Sequence, residues 1–169
     1  MRRSKYFTRF LILIIVLMTV GCDQVSKELT RKKVEPEAFI PIIKNHLILT
    51  NVENTGAMLG FGQDFPPILK RFLLQVLPML LLLIMLYRIM SKPNLNLLLI
   101  IAFAFVIGGG LGNLIDRIAY GSVTDFFQIR LGIFKTGIFN IADIAVTLGV
   151  FMFIFLIVRG KKSAIYTVK

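Results

Sequence analysis

The stretch GGGLGNLIDRIAYGSVTDFFQIRLGIFKTGIFNIAD, residues Gly108 to Asp143, decides how the rest of the chain is read. It places Asn113, Asp116, Arg117, Asp125, Asn140 and Asp143 between two strongly apolar segments. Charges and amides at a membrane boundary are costly unless they are paired, buried in protein or wetted by a cavity. The cluster is therefore a functional-site candidate, and the segments on either side of it are candidate transmembrane helices.

Working outward, four apolar segments are long enough to span a bilayer, at roughly 7–25, 68–87, 95–115 and 139–158. Between the first two the chain turns more polar. Pro36 and Pro41 break any long helix there, and Ile42 to Val52 is rich in β-branched and aliphatic residues. The expected fold is a mainly α membrane protein, one integral-membrane domain over residues 1–169, with a small extracytoplasmic β-element at roughly 39–62. The hydrophobic content of 56% and mean hydropathy of +0.79 are far above those of a soluble domain and agree with this reading. A net charge of +11 would suit nucleic acid, but the basic residues sit at the ends of apolar runs with no aromatic-interleaved basic face. No nucleic-acid partner is expected; membrane lipids are.

Orientation follows from charge density. Raw counts of basic residues tie between the two sides. Arg2, Arg3, Lys5, Arg9, Arg88, Lys92, Arg159, Lys161, Lys162 and Lys169 are nevertheless packed into three short flanks, which puts both termini in the cytoplasm and the polar cluster near the outer face. The run Arg31-Lys32-Lys33 is the exception to this pattern.

The N-terminus could be mistaken for something else. A basic start, an apolar run and Gly21-Cys22 resemble a lipoprotein signal peptide with Cys22 as the lipidated residue. A lipoprotein should continue as a soluble domain, whereas this chain returns to the membrane three more times, so an uncleaved first helix is expected. After it, Asp23 and Lys27 lie at i and i+4. They are either a surface ion pair or a sign that Asp23 points into the bundle to position substrate or a neighbouring polar group. Asn54, in Asn54-Thr55-Gly56-Ala57, reads as a turn residue.

The chemistry available is narrow. With one cysteine and one histidine, His46, there is no metal-ligand spacing, and no metal or cofactor is expected. His46 reads as an interfacial histidine without a catalytic duty. Gly108 and Gly112, one turn apart, suit close helix packing. Asn113 and Arg117 share a helix face, and Asp116 and Arg117, as neighbours, should find different partners. Asn140 is a candidate N-cap with Asp143 at N3, a structural role that competes with a catalytic one. If Asp125 and Asp143 converge, repulsion and desolvation raise one pKa, giving an acid and a carboxylate able to hydrolyse an amide through water. A small transporter using the same acids as proton or cation sites is the rival reading.

At these residues the chain closely resembles the lipoprotein signal peptidases, also called signal peptidase II. The resemblance is carried by Asp23-Gln24-Val25-Ser26-Lys27, Asn54-Thr55-Gly56-Ala57, Gly108 to Arg117, Gly121 to Phe126 and Phe139 to Asp143. It implies an intramembrane aspartyl endopeptidase of the bacterial inner membrane with four transmembrane helices. Its substrates would be diacylglyceryl-modified prolipoproteins, cut just before the lipidated cysteine. By position Asp125 and Asp143 are the catalytic pair. Asp23, Lys27, Asn54, Gly56, Gly108, Asn113, Asp116, Arg117 and Asn140 line, support or shape the site. Globomycin-type cyclic peptides are implied inhibitors, and since one chain suffices to form the site, a monomer is expected. Met58-Leu59 and the hydroxyls of Ser122 and Thr124 depart from the family's usual residues.

Overall fold

The computed structural model describes residues 5–44, 46–92 and 95–159. The tail cations Arg2, Arg3, Lys161, Lys162 and Lys169, the Asn45 neighbour of His46, and the expected turn at Pro93 and Asn94 lie outside these residues.

Among the described residues, four helices are long and apolar enough to cross a membrane. They are α1 (Lys5–Lys33), α2 (Pro67–Ser91), α3 (Leu97–Ala119) and α4 (Ile141–Val158). α3 is the central one: half of its most apolar window is buried, against 11% for α2. Ile100, Ala104, Ile107 and Leu114 of α3 pack with Ile12 of α1 and Leu82 and Ile89 of α2. α4 packs along α3 through glycines. Backbones that approach this closely gain dispersion contact which lipid tails cannot match.

The helix ends differ from the expected ones for identifiable reasons. α1 runs on to Lys33 rather than ending near Val25, because one face of its polar last turns, with Asp23, Lys27 and Thr30, is buried in the bundle. α3 starts at Leu97 rather than 95 because the Asn96 side chain accepts from the Leu98 N–H at 2.8 Å and caps it. It ends at Ala119 rather than 115, since Asp116 and Arg117 find partners without leaving the helix. α4 begins at Ile141 rather than 139 because Phe139 pairs with Phe127 as an isolated β-bridge and Asn140 is the cap. In α2 a π turn at Phe72–Val76 immediately precedes the residues around Pro78, whose missing N–H breaks the regular ladder.

The β-element is larger than expected. Strands β1 (Ile40–Ile43) and β2 (Leu47–Asn54) do come from the first connection, but residues 55–62 fold back through a short 3-10 turn at Met58–Gly60. The other half of the sheet comes from the second connection, as β3 (Val123–Leu131) and β4 (Phe134–Lys135). All four strands are antiparallel in the order β1-β2-β3-β4. Asp125 therefore sits in a nine-residue strand, opposite Val52, just after the turn at Tyr120 to Ser122.

The glycine run has unequal members. A Cβ on Gly109 would collide with the backbone oxygen of Ala142, and one on Gly112 would lie 2.6 Å from Asp23 Oδ2. At Gly110 the obstacle is only the end of the Leu82 side chain, at 2.7 Å. Gly109→Ala is accordingly expected to destabilise the bundle by ~1–3 kcal/mol, the usual cost of overpacking, and Gly110→Ala by less. Thermal unfolding of the two variants in the same detergent checks the order.

Candidate active site

The polar site is assembled where the C-terminal turns of α1 and α3 meet the N-terminus of α4 and the β2/β3 pair. α4 starts with a capping box. The Asn140 Oδ1 accepts the Asp143 N–H at 3.0 Å, and Asp143 Oδ2 accepts the Asn140 N–H at 3.2 Å. A third acceptor comes from α1, where Asp23 Oδ1 takes the Ala142 N–H at 2.9 Å. Two carboxylates thus sit at the positive end of α4, where the helix dipole favours them.

The alternatives for Asp23 and Lys27 resolve in favour of the interior. Both are fully buried. Lys27 Nζ lies 2.7 Å from Asp23 Oδ2 and 3.0 Å from Asp116 Oδ2, and donates to Asn113 Oδ1 at 2.9 Å. An ammonium has three N–H donors, so this one is fully used. Asp116 and Arg117 find different partners: Asp116 faces α1, whereas Arg117 donates to the Gly56 carbonyl at 3.0 Å and so ties the loop after β2 to α3.

Amides carry the network forward from there. Asn113 Nδ2 donates to Asp143 Oδ1 at 2.8 Å. Asn140 Nδ2 donates to Asn113 Oδ1 at 3.1 Å and to Asp125 Oδ1 at 2.7 Å. Asn54 has the turn role its sequence suggests, with Oδ1 accepting the Gly56 N–H at 3.0 Å, and a second role as well, since its Nδ2 donates to Asp125 Oδ2 at 3.0 Å. The capping role of Asp143 and its closeness to Asp125 coexist, because Asn140 serves both acids at once.

Asp125 and Asp143 open onto one cavity of about 550 Å³. Asn54, Asn113 and Arg117 also line it, while Ile144, Leu148 and Phe151 of α4 give it an apolar wall. Burial above all pushes the Asp125 carboxyl up to about 7, with the Asp143 charge adding to it and hydrogen bonds from Asn54 and Asn140 opposing it. Asp23, Lys27, Asp116 and Asn140 stand behind the wall with no exposed surface. Gly108 is further off, packed against Thr19. His46 is exposed, with Nδ1 3.1 Å from the Arg130 carbonyl, so that nitrogen carries the proton of the hydrogen bond.

Several contributors were not singled out in the sequence. Gln24 Nε2 donates to the Gly112 carbonyl and to Asp116 Oδ1, and Gln75, in the π turn, donates to the Arg117 carbonyl. Arg31 pairs with Asp116 at 3.1 Å. Its spacing was a usable signal, since Asp23, Lys27 and Arg31 recur every fourth residue on one helix face. This pairing also explains the first cation of the Arg31-Lys32-Lys33 exception, and Lys32 is held by Glu28 at 2.9 Å. Met58, one of the departures in sequence, lines the cavity mouth.

Comparison with known proteins agrees with this arrangement. The lipoprotein signal peptidase of Desulforapulum autotrophicum is 29% identical over 156 residues, covering 91% of this chain and 96% of its own. Two solved structures described as bacterial membrane enzymes superpose with TM-scores of 0.80 and 0.77 at 26% and 27% identity. The first pairs 94% of each chain, and the second 88% of this chain with 93% of its own. These matches give no support to a transporter. The family described as Signal peptidase (SPase) II matches residues 15–159, so this chain, a multi-pass bacterial membrane protease, belongs to the signal peptidase II family.

Proposed function

We propose that this chain cleaves the signal peptide from diacylglyceryl-modified prolipoproteins just before the lipidated cysteine, using Asp125 and Asp143 as its acid–base pair. The observation that carries the reading is the pair itself: two carboxyl groups, tied through one asparagine, at the polar end of a cavity with an apolar wall. An apolar wall suits the acyl chains and signal segment of such a substrate.

Asp125, whose carboxyl burial raises to about 7, takes the role of acid, and Asp143 that of base. Asp143 takes a proton from water as the oxygen attacks the scissile carbonyl, while Asp125 protonates the carbonyl oxygen. As the C–N bond of the tetrahedral intermediate breaks, Asp143 passes its proton to the departing amine and Asp125 takes one back from the hydroxyl, which releases the cysteine N-terminus and a new carboxyl end and restores both acids. Asn54, Asn113 and Asn140 orient the two acids, Arg117 secures the loop over the cavity, and Asp23, Lys27 and Asp116 support them from behind. Gly56 and Gly108 permit the close approaches.

The sheet and the site share the end of the bundle reached by the long connections, residues 34–66 and 120–140. The charge-dense flanks favour the cytoplasm, which supports a site near the outer face of the inner membrane with both termini inside. All groups of the site come from one chain, so the monomer is the working unit. Lipids surround it, and globomycin-type cyclic peptides are expected to occupy the same cavity.

Purified protein in lipid nanodiscs, given a lipidated prolipoprotein and its unlipidated precursor, is expected to process only the first. Because the acid must be protonated, activity should fall as pH rises through about 7. Equal processing of both precursors, or none of either in an active preparation, contradicts the substrate assignment.

A further inference from the structure

Behind the cavity side of β3, Thr124 and the adjoining Ser122 carry two hydroxyls for which the acid–base chemistry leaves no role. Strand alternation puts Val123 and Asp125 on the cavity side and Ser122 and Thr124 behind them. Both hydroxyls donate to Glu53 of β2: Ser122 Oγ to Oε2, and Thr124 Oγ1 to Oε1 at 2.6 Å. Thr124 Oγ1 also accepts from Arg31 Nε at 2.7 Å, and the Thr124 N–H reaches Asp116 Oδ2 at 3.3 Å. Arg31 in turn pairs with Asp116 and stacks on Tyr120, 4.1 Å above its ring.

These contacts fall just beyond a break in the backbone ladder. The β2/β3 register shifts between Leu49 and Val52, and beyond that shift only the short run Val52–Asp125, Glu53–Thr124 and Asn54–Val123 remains in pair. A slip of one residue would turn Asp125 away from the cavity, and a smaller displacement would pull it off Asn54. We infer that Glu53 and Thr124, with Arg31, form a clamp behind the strand that positions Asp125 for the reaction. Glu53 fixes β3 against β2, Arg31 fixes it against α1 and α3, and Thr124 is the hydroxyl through which both act. Its three partners sit on three different elements, so the clamp sets the strand in all directions at once.

This inference rests on the reading of Asp125 as one of the two acids. The test uses steady-state cleavage of the lipidated precursor across pH. Displacements on the ångström scale cost up to about 10²-fold in rate, so Glu53→Ala and Thr124→Val are each expected to lower kcat at least about tenfold. KM should stay within about twofold, and the alkaline fall in activity should move to lower pH as Asp125 becomes better hydrated. Thr124→Ser, which keeps the hydroxyl, should recover most of the rate. Parental kcat and pH profile in Glu53→Ala overturn the clamp, as does a loss confined to KM or a Thr124→Ser variant no better than Thr124→Val. If Thr124→Val fails to accumulate, Glu53→Ala decides alone, because Glu53 is exposed and its loss leaves no buried charge. Asp125→Asn run alongside separates the two levels. Cleavage retained there sinks the acid–base assignment, whereas abolished cleavage there beside an unaltered Glu53→Ala overturns only the clamp.

Discussion

Asp125→Asn and Asp143→Asn are each expected to reduce cleavage of a lipidated prolipoprotein by about 10²–10⁴-fold, the range for losing a positioned acid or base, while the protein still accumulates in the membrane. The shape is kept in both cases but the proton chemistry is not. At Asp125 both oxygens accept N–H donors, from Asn140 and Asn54, so an asparagine must turn its own NH₂ toward one of them. The loss of that bond is offset by removal of a buried carboxyl that burial already disfavours in its charged form. At Asp143 the introduced amide can still offer an oxygen to the Asn140 N–H, but its nitrogen then faces Asn113 Nδ2. Folding should therefore change by little beside the loss of rate. If the two acids act in one step, as proposed, the double variant should be hardly slower than either single one. Cleavage within tenfold of the parent in either single variant is incompatible with the two-aspartate assignment.

What could be read from the sequence and what could not follow the range of the forces involved. Hydropathy registers a helix through local apolar content, and it places α2, α3 and α4 to within a few residues. It ends α1 too early because Asp23, Lys27 and Arg31 look like surface residues when each is taken alone. Only their partners on α3 make their burial possible, and a hydropathy window contains no partners. The sheet has the same difficulty in stronger form. Asn54 and Asp125 are 71 residues apart, and nothing local in β2 announces that its other edge will be filled from the second connection. Asp143 was legible twice over, as a capping residue and as an acid, and the structure makes the two compatible through the Asn140 side chain. Gln24 and Glu53 gave no signal, since a lone polar side chain near a helix end or in a strand is ordinary until its partner is known. The hydroxyls of Ser122 and Thr124 are visible in the sequence, but their partners, Glu53 and Arg31, are not.

Lys27→Met is expected to be the most damaging substitution outside the two acids, for two separable reasons. The first is electrostatic. With the ammonium gone, Asp23 and Asp116 are left fully buried beside each other; Arg31 still serves Asp116, but Asp23 keeps no cation. Breaking a buried ion pair from one side costs ~3–5 kcal/mol, enough to lower the thermal midpoint well below that of the parent in the same detergent. The second reason concerns orientation. Lys27 Nζ can only donate, so it requires Asn113 to present Oδ1, which in turn aims Asn113 Nδ2 at Asp143. Without it Oδ1 keeps only the Asn140 donor, so the amide is less firmly held, and a flipped Asn113 would set its oxygen against the Asp143 carboxylate. Adding Asp23→Asn to Lys27→Met tests whether the two effects are distinct. Neutralising Asp23 removes the uncompensated charge, so the thermal midpoint should recover in part, yet cleavage should stay at least about tenfold below the parent because Asn113 still lacks its donor. Recovery of cleavage in step with stability would mean that Lys27 matters only for folding and has no part in aiming the amide at Asp143.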